Sequence, residues 1–128
     1  MTWAENASKL STAVRLKVGT VIVKDHVVTY GYNGTPSGWD NTCEYVLPDG
    51  SLKTKPETLH SEANAISKIA KSSISSEGAT LFCTHAPCID CAKMIYQAGI
   101  FTVWYKNEYR SANGIEFLRQ SGVDVKQY

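Results

Sequence analysis

The chain has 128 residues, enough for one compact core and too few for two, so a single domain over 1–128 is expected. Hydrophobic residues make up 43% and charged residues 20%, an ordinary globular balance, and a net charge of +1 argues against general attraction to a polynucleotide. No apolar run approaches the roughly 20 residues that cross a bilayer, and MTWAENASKLSTAVR has no basic stretch leading into an apolar one, so neither membrane span nor signal peptide is expected and the cytoplasm is the predicted compartment.

Residues 2 to about 16 carry Ala4, Ala7, Leu10 and Val14 at helical spacing and are predicted helical. A strand follows over 18–24, a tight turn at Asp25-His26, and a hairpin partner over 27–32. Gly31, Asn33, Gly34, Pro36 and Gly38 then open a long loop running to Leu59. Loops of that length are uncommon in a compact domain and usually functional. A helix is predicted from His60 to about Lys71, with a core stripe of Ala63, Ile66 and Ile69 or Ala70. The polar connection SSISSEG leads to an uncharged, hence central, strand over 79–84. Pro87 introduces a helix over 88–98 that Gly99 ends. A strand over 101–106, a helix over 111–120 stopped by Gly122, and a short strand over 123–126 complete the chain. A hairpin followed by β-α-β-α-β predicts a three-layer α/β domain, a mixed five-stranded sheet with helices on both faces and its last three strands parallel.

Four cysteines in a cytosolic chain are more naturally thiols or metal ligands than disulfides. Cys43 and Cys83 are solitary, whereas Cys88 and Cys91 stand in Pro87-Cys88-Ile89-Asp90-Cys91. In the first turn of a helix two such sulfurs face one side, where free N–H groups and the dipole favour thiolate. Upstream, His60-Ser61-Glu62 opens another predicted helix. His60 adds a neutral ligand, and three protein ligands leave the fourth tetrahedral position of Zn2+ open to water, as in catalytic sites. On a regular helix His60 and Glu62 would face opposite ways, so both serve one site only if His60 is the cap. Glu62 is then the acid–base residue, taking a proton from that water and returning protons to a ring nitrogen and a leaving amine. H-x-E followed by P-C-x-x-C is the signature of zinc nucleobase deaminases. The alternatives are a redox thiol pair, which leaves His60 and Glu62 idle, and a structural zinc in a nucleotide sensor, which has no use for Glu62.

At these residues the sequence resembles the deoxycytidylate (dCMP) deaminase family of the cytidine-deaminase fold. Val18 to Asp25 (VGTVIVKD), Gly31 to Gly38 (GYNGTPSG) and Ala92 to Ile95 (AKMI) extend the match, and the GYNG stretch separates it from tRNA-adenosine and nucleoside deaminases. The resemblance implies conversion of dCMP to dUMP, a homo-hexamer, activation by dCTP and inhibition by dTTP, with Mg2+ accompanying the triphosphate. It assigns Asn33 to the substrate and Gly31, Tyr32 and Gly34 to the border of the effector site, for which Lys24 is a further candidate from its place beside the hairpin. Ser61 stands where Ala is usual in H-x-E. The second, structural zinc of some members is not expected, since only Cys43 and His26 are available upstream of His60. A deaminase acting on nucleosides, or on a base in nucleic acid, is the competing activity.

Ser61 and Pro87 adjoin the ligands and are predicted to border the substrate. Arg110, beside Tyr109 just past a strand, is the first candidate for the 5′-phosphate, because strand ends of such sheets border the ligand crevice; surface charge is the alternative. Arg15, Lys17 and Lys24 flank the hairpin and are either triphosphate ligands or solvated charges. Cys83 is expected to be an inert core thiol, Cys43 structural or incidental, and His26 a solvated turn residue. His85 either lines the pocket or is tied to its loop, and Trp39 and Trp104 are expected to pack rather than stack on a base.

Overall fold

The computed structural model describes the whole backbone and every side chain except that of Val27. Its elements are α1 (Thr2–Ser8), β1 (Gly19–Lys24), β2 (His26–Tyr32), β3 (Glu44–Val46), β4 (Leu52–Thr54), α2 (Ser61–Ala70), β5 (Thr80–His85), α3 (Ile89–Gln97), β6 (Thr102–Asn107), α4 (Asn113–Gln120) and β7 (Asp124–Gln127). Five strands form one sheet in the order β2-β1-β5-β6-β7. β1 pairs antiparallel with both β2 and β5, whereas β5, β6 and β7 run parallel, as the intervening helices require.

Helices cover both faces, and two glycines reveal which covers which. Gly19 pairs with Tyr32 and Thr20 with Gly31, so Gly19 and Gly31 point to opposite faces. A Cβ on Gly19 would strike the backbone of α1 at Ala4 and Ser8, and a Cβ on Gly31 would strike α2 at Ser61 and Ala65. The α2 face is the core: Ile22, Leu81, Cys83, Val103 and Tyr105 pack against Ala65 and Ile69 of α2, Ala92 and Ile95 of α3, and Ile115 and Leu118 of α4. Cys83 is fully buried there and its thiol is pushed well up by desolvation, fitting an inert core thiol. Phe82 and Trp104 stack on the α1 face, with centroids 6.4 Å apart.

Three expectations are corrected. The first helix stops at Ser8, not near Leu16. The helical spacing of Leu10 and Val14 meets no core, since they are 54% and 73% exposed. Distant side chains bind the backbone here instead: Ser11 Oγ donates to Asn33 O, Glu44 Oε2 accepts the N–H groups of Val14 and Arg15, and Asn33 accepts from Val18 N–H while donating to Leu16 O. Such bonds compete with the helical ladder. Second, the long loop contains the β3–β4 hairpin, turned at Gly50 with φ +84°, and its neck is closed by paired bonds between Gly34 and Leu59. Third, the buried stripe of α2 is Ser61, Glu62, Ala65 and Ile69: of the expected stripe Ile69 is buried and Ile66 packs partly buried against the core, while Ser61, Glu62 and Ala65 replace Ala63. The remaining element ends agree within two residues.

Candidate active site

Two helix starts meet at the carboxyl end of β5. His60 is the N-cap of α2, its backbone extended at φ −71°, ψ 155°, which turns the imidazole back towards Glu62 in the first turn. Cys88 is itself an N-cap, at φ −70°, ψ 171°, so α3 starts at Ile89 and not at Cys88. Cys91 lies one turn in. His60 Nδ1 is 3.4 Å from both sulfurs, and the three donor atoms lie within 4.8 Å of one another.

The chemistry of that donor set fits Zn2+. Metal–sulfur bonds of about 2.3 Å and metal–nitrogen bonds of about 2.0 Å at a tetrahedral angle put N and S about 3.5 Å apart. Hydrogen bonds from Cys91 and His60 pull the Cys88 thiol down to about 4. Holding that thiolate raises His60, and it pushes the adjacent Cys91 thiol up, as does burial. Among the described residues the cluster has three members, which leaves the open fourth position of a catalytic site. Glu62 is 3% exposed and its carboxyl is pushed up, chiefly by desolvation.

From this cluster a cavity of about 450 Å³ runs outward. His60, Ser61, Glu62, His85, Ala86 and Cys88 line its inner end, and Arg15, Glu44, Thr54, Glu108, Tyr109 and Arg110 its outer end. Neither Arg15 nor Arg110 is among the ion pairs of the described residues. The Arg15 guanidinium donates to Thr54 Oγ1 at 3.1 Å, and that of Arg110 lies 5.5 Å from the Tyr109 ring centroid.

The remaining sequence candidates fall in different places. Asn33 lines the cavity, but its side-chain amide is engaged by Val18 and Leu16. The Ser61 hydroxyl bonds Thr20 Oγ1 at 2.7 Å, and both side chains are wholly buried. Pro87 is buried beneath the site and does not line it. Lys24 pairs with His26 at the far end of the hairpin from the Gly19–Tyr32 pair, so it is separated from Tyr32 and Gly34 by the length of a six-residue strand, about 17 Å. Gly31 is closed off by α2, and none of these four effector candidates lines the cavity. Arg15, considered above for a triphosphate, borders the same cavity as the metal cluster. Cys43 is buried in the cavity wall, 3.6 Å from Thr12 Oγ1. His85 both lines the cavity and bonds Thr84 Oγ1 at 3.1 Å, and burial lowers its ring below the usual histidine value. Trp39 is 61% exposed and neither packs nor lines the cavity. Glu44, Thr54 and Glu108 line the cavity without having been singled out from the sequence. For the first two a signal existed: Asp49-Gly50 between two short β-prone runs marks a hairpin.

A mixed α/β sheet with an imidazole, two thiols and a buried glutamate at neighbouring helix starts defines a zinc-site protein of the deaminase kind. The chain belongs to the family described as the cytidine and deoxycytidylate deaminase zinc-binding region, whose pattern matches residues 1–107. It is 51% identical to the dCMP deaminase of cyanophage S-TIM5, solved in complex with dCMP and dUMP, with a TM-score of 0.92 over 99% of this chain and 92% of that one. It is 39% identical to the ComE operon protein 2 of Bacillus subtilis (strain 168), matching 91% of this chain and spanning 62% of that protein. The deoxycytidylate deaminase of Enterobacteria phage T4 is 31% identical, over 92% of this chain and 82% of its own length. Among the described residues no helix is long and apolar enough to cross a membrane.

Proposed function

We propose that the protein hydrolyses dCMP to dUMP and ammonia, with zinc held by His60, Cys88 and Cys91. The observation that carries this is the cavity itself, which joins the three-donor cluster and Glu62 to two arginines that pair with no carboxylate among the described residues. An ammonium-releasing end and an anion-binding end in one cavity suit a pyrimidine ring attached through its sugar to a phosphate. The likeness to a dCMP deaminase solved with dCMP and dUMP supports the same assignment.

Zinc, when bound, supplies a Lewis acid that makes water a ready nucleophile near neutral pH. The chain's own residues do the rest. His60 and the two cysteines leave one face of the cluster towards the cavity. Glu62, raised by its dry surroundings, takes the two protons of the attacking water in turn, delivering the first to the ring nitrogen and the second to the exocyclic amine. Oxygen adds at C4 as the C4–N3 double bond opens onto the protonated ring nitrogen; the bond from C4 to the protonated exocyclic amine then breaks as the carbonyl forms, and ammonia leaves. Ser61 holds the first turn of α2 to β1 through Thr20, and Arg15 and Arg110 receive the 5′-phosphate beside Tyr109.

The finer reading is a single domain acting on free nucleotides in the cytoplasm, assembled as a homo-hexamer and regulated by dCTP and dTTP with Mg2+. Family resemblance supports it. Within one protomer Lys24 stands apart from Tyr32 and Gly34. The test compares ammonia release from dCMP, dCTP, deoxycytidine and a cytosine-containing oligonucleotide. dCMP should be preferred, and preference for the oligonucleotide overturns the substrate. Adding dCTP or dTTP with Mg2+ to the same assay should raise or lower the rate, and flat rates refute regulation.

A further inference from the structure

Glu44 on β3 and Thr54 on β4 are cross-strand partners in the small hairpin, and they hold one residue from two ends. Glu44, 8% exposed, accepts the backbone N–H groups of Val14 and Arg15 on Oε2 at 2.9 and 3.1 Å. Thr54 accepts from the Arg15 guanidinium at 3.1 Å. The segment they grip is irregular. It continues through Leu16 and Val18, whose backbone groups are taken by Asn33. No regular ladder fixes Arg15, so its place at the cavity mouth depends on these side chains.

We infer that Glu44 and Thr54 are positioning residues that make Arg15 a preformed receptor for the substrate's monophosphate, a role resting on the phosphate reading of Arg15 above. An arginine on irregular backbone samples many rotamers, and ordering it at binding weakens affinity. Anchoring both its main chain and one guanidinium nitrogen leaves its other N–H groups for phosphate oxygens. The Glu44 carboxylate acts through the backbone, and its bonds to two N–H groups offset the cost of keeping an anion near the phosphate. Glu44→Gln keeps an acceptor oxygen without the charge, so it separates the two effects.

The test measures kcat and KM for dCMP and for deoxycytidine in the parent, Arg15→Ala, Glu44→Ala, Glu44→Gln and Thr54→Val proteins, with melting temperatures alongside. Glu44→Ala should raise KM for dCMP about tenfold, the effect of losing one charged hydrogen bond, with the loss falling on KM rather than kcat and deoxycytidine little affected. Thr54→Val should do the same to a lesser degree, and Glu44→Gln should recover most of the parent KM. Equal losses on dCMP and deoxycytidine in Glu44→Ala, or in Thr54→Val should Glu44→Ala not fold, overturn the inference. So does a KM for dCMP that falls in Glu44→Gln, which would make the carboxylate a repelling charge. If Arg15→Ala keeps the parent's preference for the phosphorylated substrate, the reading of Arg15 fails. If Arg15→Ala loses that preference while Glu44→Ala and Thr54→Val keep it, only the positioning role fails.

Discussion

The two ends of the cavity are built by opposite means. At the inner end, His60, Glu62, Cys88 and Cys91 ride on the first turns of α2 and α3, whose bodies are buried against the sheet through Ala65, Ile69, Ala92 and Ile95. At the outer end, Arg15 sits on backbone with no ladder of its own, tied by Asn33, Glu44 and Thr54. Packing fixes the first end and polar side chains fix the second. A packed helix tolerates little displacement, so the reacting groups hold their geometry whatever the ligand. A wall held by single hydrogen bonds can be altered one bond at a time, which suits the part of a site that distinguishes one substrate from another.

The largest expected effect is at the packed end. Glu62→Gln should keep zinc while turnover falls about 10²- to 10⁴-fold, the range lost with a positioned acid–base group. Metal content and ammonia release, measured on one preparation, check it. The same substitution should stabilise the chelator-stripped protein. Burial raises the carboxyl above its ordinary 4.5, so the folded state holds a proton that the unfolded state gives up. Stability therefore falls as pH rises from 4.5 towards the raised folded value, and Gln removes that decline. The gain in urea midpoint should be larger at pH 8 than at pH 5. A gain that shrinks with pH would mean Glu62 is held as a carboxylate by a partner, and the packed end would not be the dry one.

What could be read beforehand divides along the same line. Wherever a periodic apolar pattern coincides with a buried face, as in β1, β5, α3 and β6, sequence and structure agree, because burial selects both. The H-x-E and P-C-x-x-C motifs were legible because ligand chemistry restricts residue type at fixed spacing, and the requirement that His60 be a cap follows from helical geometry alone. At the outer end Tyr109 and Arg110 were legible from their place just past a strand, and the rest escaped. Leu10 and Val14 keep helical spacing without any core beneath them. Asn33 has the composition of a ligand-binding residue yet serves the backbone. The partnership of Glu44 with residues 14 and 15, thirty positions away, has no local signature.

A smaller effect separates packing from hydrogen bonding within the inner end. Thr20 and Ser61 are both wholly buried and bonded at 2.7 Å, joining the central part of the sheet to the turn that carries His60 and Glu62. Thr20→Val alone leaves a buried hydroxyl without this partner and should cost about 1–3 kcal/mol. Thr20→Val with Ser61→Ala removes both polar groups and should return to within about 1 kcal/mol of the parent, with zinc retained. A double variant as unstable as the sum of the singles would show that the bond itself, rather than the unmet hydroxyl, holds α2 to β1.

The smallest effect belongs to the hairpin of the outer end. Gly50 turns it at φ +84°, and a Cβ there would meet nothing within 4 Å, so Gly50→Ala tests backbone conformation free of any clash. A left-handed residue with a side chain costs about 1–2 kcal/mol, and denaturant melts should register a loss of that size. The Glu44–Thr54 pair is further stitched by Lys55 N–H to Cys43 O at 2.8 Å and by Thr58 Oγ1 to Cys43 O at 3.1 Å, so its geometry should outlast strain at the tip. KM for dCMP should then move by less than about twofold, well short of the charged-bond loss expected from Glu44→Ala. A large rise in KM from Gly50→Ala would mean that tip, pair and Arg15 yield as one cooperative unit, and that the outer wall is stiffer than its bonding pattern implies.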